Sequence, residues 1–144
     1  MQGLNPNTLF SIFEKGDEAI YKEHKIDGVL DNPFVLLGMV LRGLDNFMLM
    51  DVIYTRNYPK EYKPQRHMVK KKYFFNLFNY LQRIDWGTVG TSYKAGTSFE
   101  FDETIHRLNH FLKYFENIEE YEKCAVIRDS IIKIKVIKTS VKVQ

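Results

Sequence analysis

The stretch that decides the fold is DETIHRLNHFLKYFEN, residues 102–117, followed by YEKCAVIRDSI, residues 121–131. Apolar side chains of the first segment recur at the three- and four-residue spacing of one helix face: Ile105, Leu108, Phe111, Leu112 and Phe115. Asn117 can adopt the left-handed conformation that ends a helix, so a second helix is expected to begin at Ile118 or Glu119. The pattern predicts a C-terminal helical hairpin with a very short turn.

The second helix of this hairpin carries one charge among its apolar residues. A helical wheel of residues 121–134 gathers an apolar arc of Tyr121, Cys124, Ala125, Ile127, Ile131, Ile132 and Ile134. Arg128 falls inside the arc, and a guanidinium that is buried without a partner is strongly destabilising. We therefore expect a carboxylate or carbonyl to pair with Arg128, from within the fold or across an interface.

The segment YEKCAVIRDSI resembles the UVR motif, the short helical hairpin of the B and C subunits of bacterial excision-repair nuclease and of the activator of a protein arginine kinase. The motif has an aromatic residue, Glu-Lys, two small residues, an aliphatic residue, Arg-Asp and a final aliphatic residue. The corresponding residues here are Tyr121, Glu122, Lys123, Cys124, Ala125, Ile127, Arg128, Asp129 and Ile131.

The resemblance covers residues 105–135, with two departures from the family. Cysteine replaces the usual first alanine, and the first helix is more aromatic than is typical. The resemblance implies a hairpin without catalytic activity that pairs with a like hairpin or docks a partner. The residues expected to contact that partner are Tyr121, Cys124, Ile127, Arg128, Asp129 and Ile131.

Composition places the chain among globular proteins. Its 144 residues have room for one domain with its own core, and 44% of them are hydrophobic. The single cysteine, Cys124, excludes an internal disulfide framework and fits a reducing compartment, so we expect a cytoplasmic location. No secretory signal pattern opens the sequence, and the longest apolar run, Phe34–Leu41, is too short for a membrane span.

Further helices are predicted upstream of the hairpin. Two short ones cover residues 5–15 and 17–24. A long, central helix begins after the capping pair Asn32-Pro33 and runs to about Thr55. Its glycines, Gly38 and Gly43, indicate either close packing of another backbone or a break, and Gly43 is the expected break. After a loop at residues 56–64, a further helix is expected at 65–84. Its apolar face consists of Val69, Tyr73, Phe74, Leu77, Leu81 and Ile84, with Phe75 on the polar side.

Two segments have ambiguous patterns. Residues 85–98 are rich in glycine, threonine and serine and predict a loop or a small hairpin, after which Thr97 with Glu100, or Asp102, can cap the next helix. Residues 133–143 alternate lysine with isoleucine or valine, which fits an edge strand slightly better than a helix. The sequence thus predicts a single all-α domain, residues 1–144, of four or five helices with the C-terminal αα-hairpin and at most a small β element.

Basic residues concentrate between the two long upstream helices. They are Arg56, Lys60, Lys63, Arg66, Lys70, Lys71 and Lys72, with Tyr54, Tyr58, Tyr62 and Tyr73 interleaved. Cations that neutralise phosphates and aromatic rings that stack on bases are what single-strand and RNA binding require. The alternative is a solvated segment whose tyrosines cover the core.

No residue pattern indicates catalysis. Glu103, His106 and His110 share a helix face, but the second Glu-x-x-His of a di-metal bundle is missing and the face is the polar one. The glycine-rich segment lacks the Gly-Lys-Ser/Thr ending of a phosphate loop. Cys124 has no histidine nearby in sequence and is expected to be a packing thiol. We expect no cofactor, no metal and no membrane.

The function favoured by the sequence is a non-enzymatic protein-protein interaction or adaptor module that uses the C-terminal hairpin, either with a different protein or by self-association. One alternative is a nucleic-acid-associated accessory protein that binds through residues 56–72. Another is a structural component of a larger assembly such as a virus particle.

Overall fold

The computed structural model describes residues 32–94 and 100–142, with only the backbone described at 91–94 and 141–142. These residues form six α-helices and no strand: α1 (Pro33–Asn57), α2 (Pro59–Tyr62), α3 (Arg66–Gln82), α4 (Trp86–Lys94), α5 (Phe101–Asn117) and α6 (Tyr121–Lys142). The predicted all-α bundle is confirmed. The short helices predicted at residues 5–15 and 17–24, and the capping residue Thr97, lie outside the described residues.

The longest helix, α1, begins as the sequence predicts. The side chain of Asn32 accepts hydrogen bonds from the backbone N–H groups of Phe34 and Val35, at 2.8 and 3.3 Å, and Pro33 occupies the first turn, where a missing N–H costs nothing. The predicted break at Gly43 is wrong, because α1 continues without interruption to Asn57.

Gly43 instead lets α3 approach α1 closely. A Cβ atom placed on Gly43 would overlap the Cδ2 methyl of Leu77 and would lie 3.1 Å from its Cδ1 methyl. Leu77 is itself buried in the core. A residue without a side chain is therefore required here for packing rather than for a bend.

The core is a network of aromatic rings contributed by α1, α3 and α5. Phe47 packs against Phe74 with ring centroids 5.3 Å apart, and Phe74 packs against Phe111 at 5.6 Å. Phe111 contacts Phe115 at 5.0 Å, and Phe115 reaches Phe75 at 5.6 Å. The sequence predicts Phe75 on the polar side of its helix. In the structure Phe75 is half-buried against α5.

Over Trp86–Lys94 the fourth helix replaces the loop or hairpin predicted at residues 85–98, of which residues 95–98 lie outside the described part of the chain. Asp85 accepts hydrogen bonds from the backbone N–H groups of Gly87 and Thr88 and from the Thr88 hydroxyl, at 3.0, 3.3 and 2.9 Å. These bonds satisfy donors of the first helical turn, which outweighs the low helix propensity of the glycines. Trp86 and Val89 are buried on the side that faces the bundle.

The strand predicted for residues 133–143 is also wrong, because α6 extends to Lys142. Ile127, Ile131 and Ile134 continue one buried helix face at the spacing of four and three residues, whereas Ile132 and Val136 are exposed. Ile137 lies against Gly90 of α4, where a Cβ atom would come 3.4 Å from Ile137 Cγ1. The side chains that pack on α4 and α5 are therefore spaced as on a helix. The alternation of lysine with isoleucine or valine does not decide the structure of this segment.

The predicted hairpin of α5 and α6 is confirmed, with a turn of three residues, Ile118 to Glu120. The left-handed residue is Glu119, with φ 62°, rather than Asn117. The N–H groups of Glu119 and Glu120 donate to the carbonyls of Glu116 and Phe115, at 3.1 and 3.0 Å. This pair of bonds is the Schellman arrangement, which commonly has glycine at the left-handed position.

We expect Glu119→Gly to stabilise the protein by about 1 kcal/mol, because glycine adopts positive φ without the steric cost that a Cβ atom incurs. Urea unfolding followed by circular dichroism measures the change. The control is Glu116→Gly, at a position with ordinary helical geometry, which should destabilise by about 1 kcal/mol. A loss of stability in Glu119→Gly would contradict the strained turn.

We expect opposite effects from alanine at the two glycines of α1. Gly43→Ala should destabilise by about 1–2 kcal/mol, since overpacking against Leu77 outweighs the gain in helix propensity. In Gly38→Ala the new methyl meets only the end of the exposed Arg42 side chain, at 2.9 Å from Nη1, so up to about 1 kcal/mol should be gained. Denaturant unfolding of both variants tests the assignment, and a gain in Gly43→Ala would refute it.

Candidate functional site

The residues predicted to contact a partner on the C-terminal hairpin do not form one surface. Cys124, Ile127 and Ile131 are buried in the core of this chain. Tyr121, Arg128 and Asp129 are exposed. The apolar arc predicted for α6 is thus narrower than the wheel suggested, and Ala125 and Ile132 also lie outside it, at the surface. No continuous apolar surface of the hairpin joins the six predicted residues.

A carboxylate from within the fold lies beside Arg128, as one of the two expected arrangements requires. The guanidinium Nη2 lies 3.6 Å from Glu116 Oε1 on α5, and the Arg128 side chain is 53% exposed. Asp129 pairs with Lys133 on its own helix at 3.0 Å. Surface pairs of this kind contribute little free energy, typically about 0–1 kcal/mol. Arg128 is therefore not a buried charge that needs an external partner.

Cys124 lies in the core, where burial raises the pKa of its thiol above the ordinary value. A thiol with a raised pKa carries less thiolate at neutral pH and is a weaker nucleophile. This position fits the packing thiol that the sequence predicts.

The basic segment offers cations without the aromatic rings that the nucleic-acid hypothesis requires. Tyr54, Tyr62 and Tyr73 are buried, and Tyr58 is half-buried. Arg56, Lys60, Lys63 and Lys72 are exposed. Lys71 lies over the ring of Phe75, at 5.5 Å from its centroid. The segment thus presents positive charge to solvent but not a row of rings on which bases could stack.

Arg66 of this segment is engaged in a structural contact. Its Nε and Nη2 atoms donate to the two carboxylate oxygens of Asp51, at 2.8 and 2.7 Å, and the hydroxyl of Tyr62 donates to Asp51 at 2.6 Å. Burial alone would raise the pKa of Asp51, but the bonds from Arg66 and Tyr62 outweigh it and hold that pKa below its ordinary value of 3.8. The contact joins α1 to α2 and α3.

The histidines considered as metal ligands lie next to each other on α5. The ring centroids of His106 and His110 are 4.7 Å apart, with the rings nearly perpendicular. Glu103 pairs with Arg107 at 2.9 Å. Among residues 32–94 and 100–142, no group of three or more histidine, cysteine, aspartate or glutamate side chains is arranged to hold a metal ion.

The surface feature that sequence reasoning missed is an apolar face of α1, opposite the core. Four neighbouring side chains lie exposed there: Met48 (67%), Leu49 (62%), Val52 (52%) and Ile53 (43%). The sequence indicates a helix buried on all sides, but packing on α3 and α5 covers only one side. The missed signal is charge, because Asp45 and Arg56 fall on the same face of the helix as Leu49 and Val52.

The exposed face of α1, residues 45, 48, 49, 52, 53 and 56, is apolar in its middle and oppositely charged at its two ends. Asp45 carries the negative charge and pairs with Arg107 of α5 at 3.0 Å. Arg56 carries the positive charge, and no ion pair to it occurs among the described residues. By length and composition α1 could also cross a membrane, although half of its most apolar window is buried in the bundle, as in the core helix of a globular protein.

Comparisons with known proteins identify no relative. No protein-family model matches the sequence, and neither the curated proteins nor the solved structures contain a match. The UVR resemblance of residues 105–135 therefore stays a prediction.

Without the Asp51 contact, the free energy of unfolding should vary less with pH in the acid range. Because the pKa of Asp51 is lower in the folded chain than in the unfolded one, its contribution is present above about pH 4 and is lost as pH falls through the folded pKa. We expect Asp51→Asn to cost about 1–2 kcal/mol at pH 7 and progressively less below pH 4. Urea unfolding across this range measures the difference, with Asp129→Asn as the surface control. A cost independent of pH would contradict the assignment.

Proposed function

We propose that this chain is a non-enzymatic interaction protein that self-associates through the exposed face of α1. The observation that carries the proposal is the group of four exposed apolar side chains, Met48, Leu49, Val52 and Ile53, on one side of a rigid helix. Contiguous exposed apolar residues of this kind commonly mark protein-protein contacts. The proposal keeps the interaction module favoured by the sequence but moves its surface from the C-terminal hairpin to α1.

The face is complementary to a second copy of itself in antiparallel orientation. Residues 45, 49, 52 and 56 are spaced by four, three and four positions, so they form one stripe along the helix. The stripe is symmetric about the midpoint between residues 50 and 51. A two-fold axis at this midpoint places Leu49 at the level of the partner's Val52, and Asp45 at the level of the partner's Arg56.

The interface then contains two identical ion pairs, each formed by Asp45 of one copy and Arg56 of the other. Such duplication is what an isologous two-fold interface requires. Asp45 has a second carboxylate oxygen beside the one that binds Arg107, so it can accept from both guanidinium groups. In a parallel arrangement, Asp45 of one copy would instead lie beside Asp45 of the other copy. The two negative charges would repel each other. Charge therefore selects the antiparallel register, whereas apolar burial supplies most of the free energy.

The strength of the contact is set mainly by the apolar area that the two copies bury. Eight partly exposed apolar side chains, four from each copy, contribute about 1 kcal/mol each on burial. Association costs an estimated 4 kcal/mol or more in lost translational and rotational freedom. We therefore expect a reversible, concentration-dependent dimer rather than a permanent one.

The decisive experiment reverses each end charge and then mixes the two variants. Asp45→Lys and Arg56→Glu each place like charges together at both ends of the interface, so each should weaken the dimer by about tenfold in light scattering or sedimentation. An equimolar mixture should regain the dimer as a heterodimer. In it the introduced lysine of one variant faces the introduced glutamate of the other, and the unchanged Arg56 faces the unchanged Asp45. A general loss of folding could not be restored by mixing.

Two further variants complete this test. Leu49→Asp should abolish the dimer by burying a charge at its centre, whereas Lys60→Glu, a charge reversal on α2, should leave it unchanged. Circular dichroism checks that each variant keeps its helical content. A wild-type protein that is monomeric at every concentration, or single variants that stay dissociated on mixing, would overturn the proposal.

The other functions that the sequence suggested stay predictions. Exposed Arg56, Lys60, Lys63 and Lys72 keep polyanion binding open, and fluorescence anisotropy with single-stranded DNA or RNA at two salt concentrations would test it. The buried tyrosines make that hypothesis weaker than self-association. A role in a larger assembly is compatible with a self-complementary α1 face.

A further inference from the structure

A second candidate site is a groove between α1, α3 and α5, which shares only Asp45 and Met48 with the contact proposed above. Its volume is about 480 Å³, within the range of pockets that hold small organic ligands. The apolar part of its wall comes from Leu44, Met48, Phe74 and Phe111. The proposed dimer accounts for none of the groove's charged residues except Asp45.

The charges around the groove are unevenly satisfied. At one end, Arg107 pairs with both carboxylates, Asp45 at 3.0 Å and Glu103 at 2.9 Å. Elsewhere on the wall, Lys70 and Lys113 have no carboxylate within ion-pair distance among the residues that the structure describes. Arg107 thus balances one of the two carboxylates, two ammonium groups have no direct partner, and the five charged side chains of the groove together carry one net positive charge.

Lys70 makes contacts with aromatic rings, and its charge also helps to lower the pKa of the Asp51 carboxyl, which Arg66 binds. Its ammonium lies 5.3 Å from the ring centroid of Tyr114, 5.5 Å from that of Phe74 and 6.0 Å from that of Phe47. Such cation-π contacts orient the ammonium over the faces of the rings. They do not neutralise its charge, because the rings are uncharged. A positioned lysine that makes no direct ion pair in the described part of the chain, beside an apolar wall, is a recognition element for an anion.

Tyr114 also contributes to this wall. Its side chain lines the groove and its ring lies under the Lys70 ammonium, whereas its hydroxyl is buried from solvent without a hydrogen-bond partner in the described part of the chain. Burial, with a smaller effect of the nearby Glu120 charge, raises the pKa of this hydroxyl. A ligand in the groove therefore meets the ring of Tyr114 rather than its hydroxyl.

We propose that this groove binds an amphiphilic organic anion, with the acidic head at Lys70 and the apolar body along Leu44, Met48 and Phe111. The ligand class is a small carboxylic acid with an alkyl or aryl body. A neutral analogue would lose the head-group contact, and a cationic one would be repelled by Lys70 and Lys113.

The test compares three probes with the same body: decanoate, decan-1-ol and decyltrimethylammonium, each below its micellar concentration. Calorimetric titration of the whole chain should show saturable binding of decanoate that is at least roughly tenfold tighter than binding of the alcohol, and none of the cation. Equal affinity for decanoate and the alcohol, or no saturable binding of decanoate, would overturn the proposal.

Variants assign the head-group contact. Lys70→Gln should reduce decanoate affinity to that of the alcohol, Lys70→Arg should retain most of it, and Lys113→Gln should weaken it to a smaller extent. Lys72→Gln is the matched control, because Lys72 is exposed on the same helix but does not line the groove. An unchanged decanoate affinity in folded Lys70→Gln would refute the site. Because Asp45 and Met48 belong to both surfaces, the titrations are run at a protein concentration at which light scattering shows a monomer, so that their outcome does not depend on dimerisation through α1.

Discussion

The structure depends on the aromatic contacts that join α1, α3 and α5. Phe74 lies at the centre of these contacts, because its ring meets Phe47 of α1 on one side and Phe111 and Tyr114 of α5 on the other. Large rings bury much apolar area for each residue ordered, which suits a small domain without disulfides. The requirement that three helices meet at one set of rings sets how closely α1 approaches α3, and hence the need for glycine at position 43.

The same contacts decide which surfaces stay free. Because Phe47 and Tyr54 of α1 face the core, Leu49 and Val52 lie on the opposite side of the helix and are exposed. Rings at the edge of the network also place Lys70 beside the groove. The two candidate sites are therefore consequences of one packing arrangement: the apolar face lies behind α1 and the groove lies where α1, α3 and α5 separate.

Secondary structure was predicted best where tertiary packing and local pattern agree. The start of α1 follows from the cap at Asn32, whereas the helix after Pro64 and the α5–α6 hairpin follow from apolar spacing, because neither α3 nor α5 has a side-chain cap hydrogen bond and Asp102 lies inside α5. The errors at residues 85–98 and 133–143 arise where a neighbouring helix decides between two allowed patterns, because α4 and the end of α6 pack against each other where Ile137 meets Gly90. Gly43 was taken for a break because a sequence does not show that Leu77 lies against it.

The sequence by itself determined the all-α fold class and most of the apolar positions of α3 and α5. These properties depend on composition and on the spacing of residues along the chain, and both can be obtained from the sequence. Only the tertiary structure decided which side of α1 faces water, that Arg128 lies at the surface beside Glu116, and that the ammonium of Lys70 meets three rings. Each of these depends on helices brought together by core packing, and a one-dimensional pattern does not specify which of two apolar helix faces will be covered.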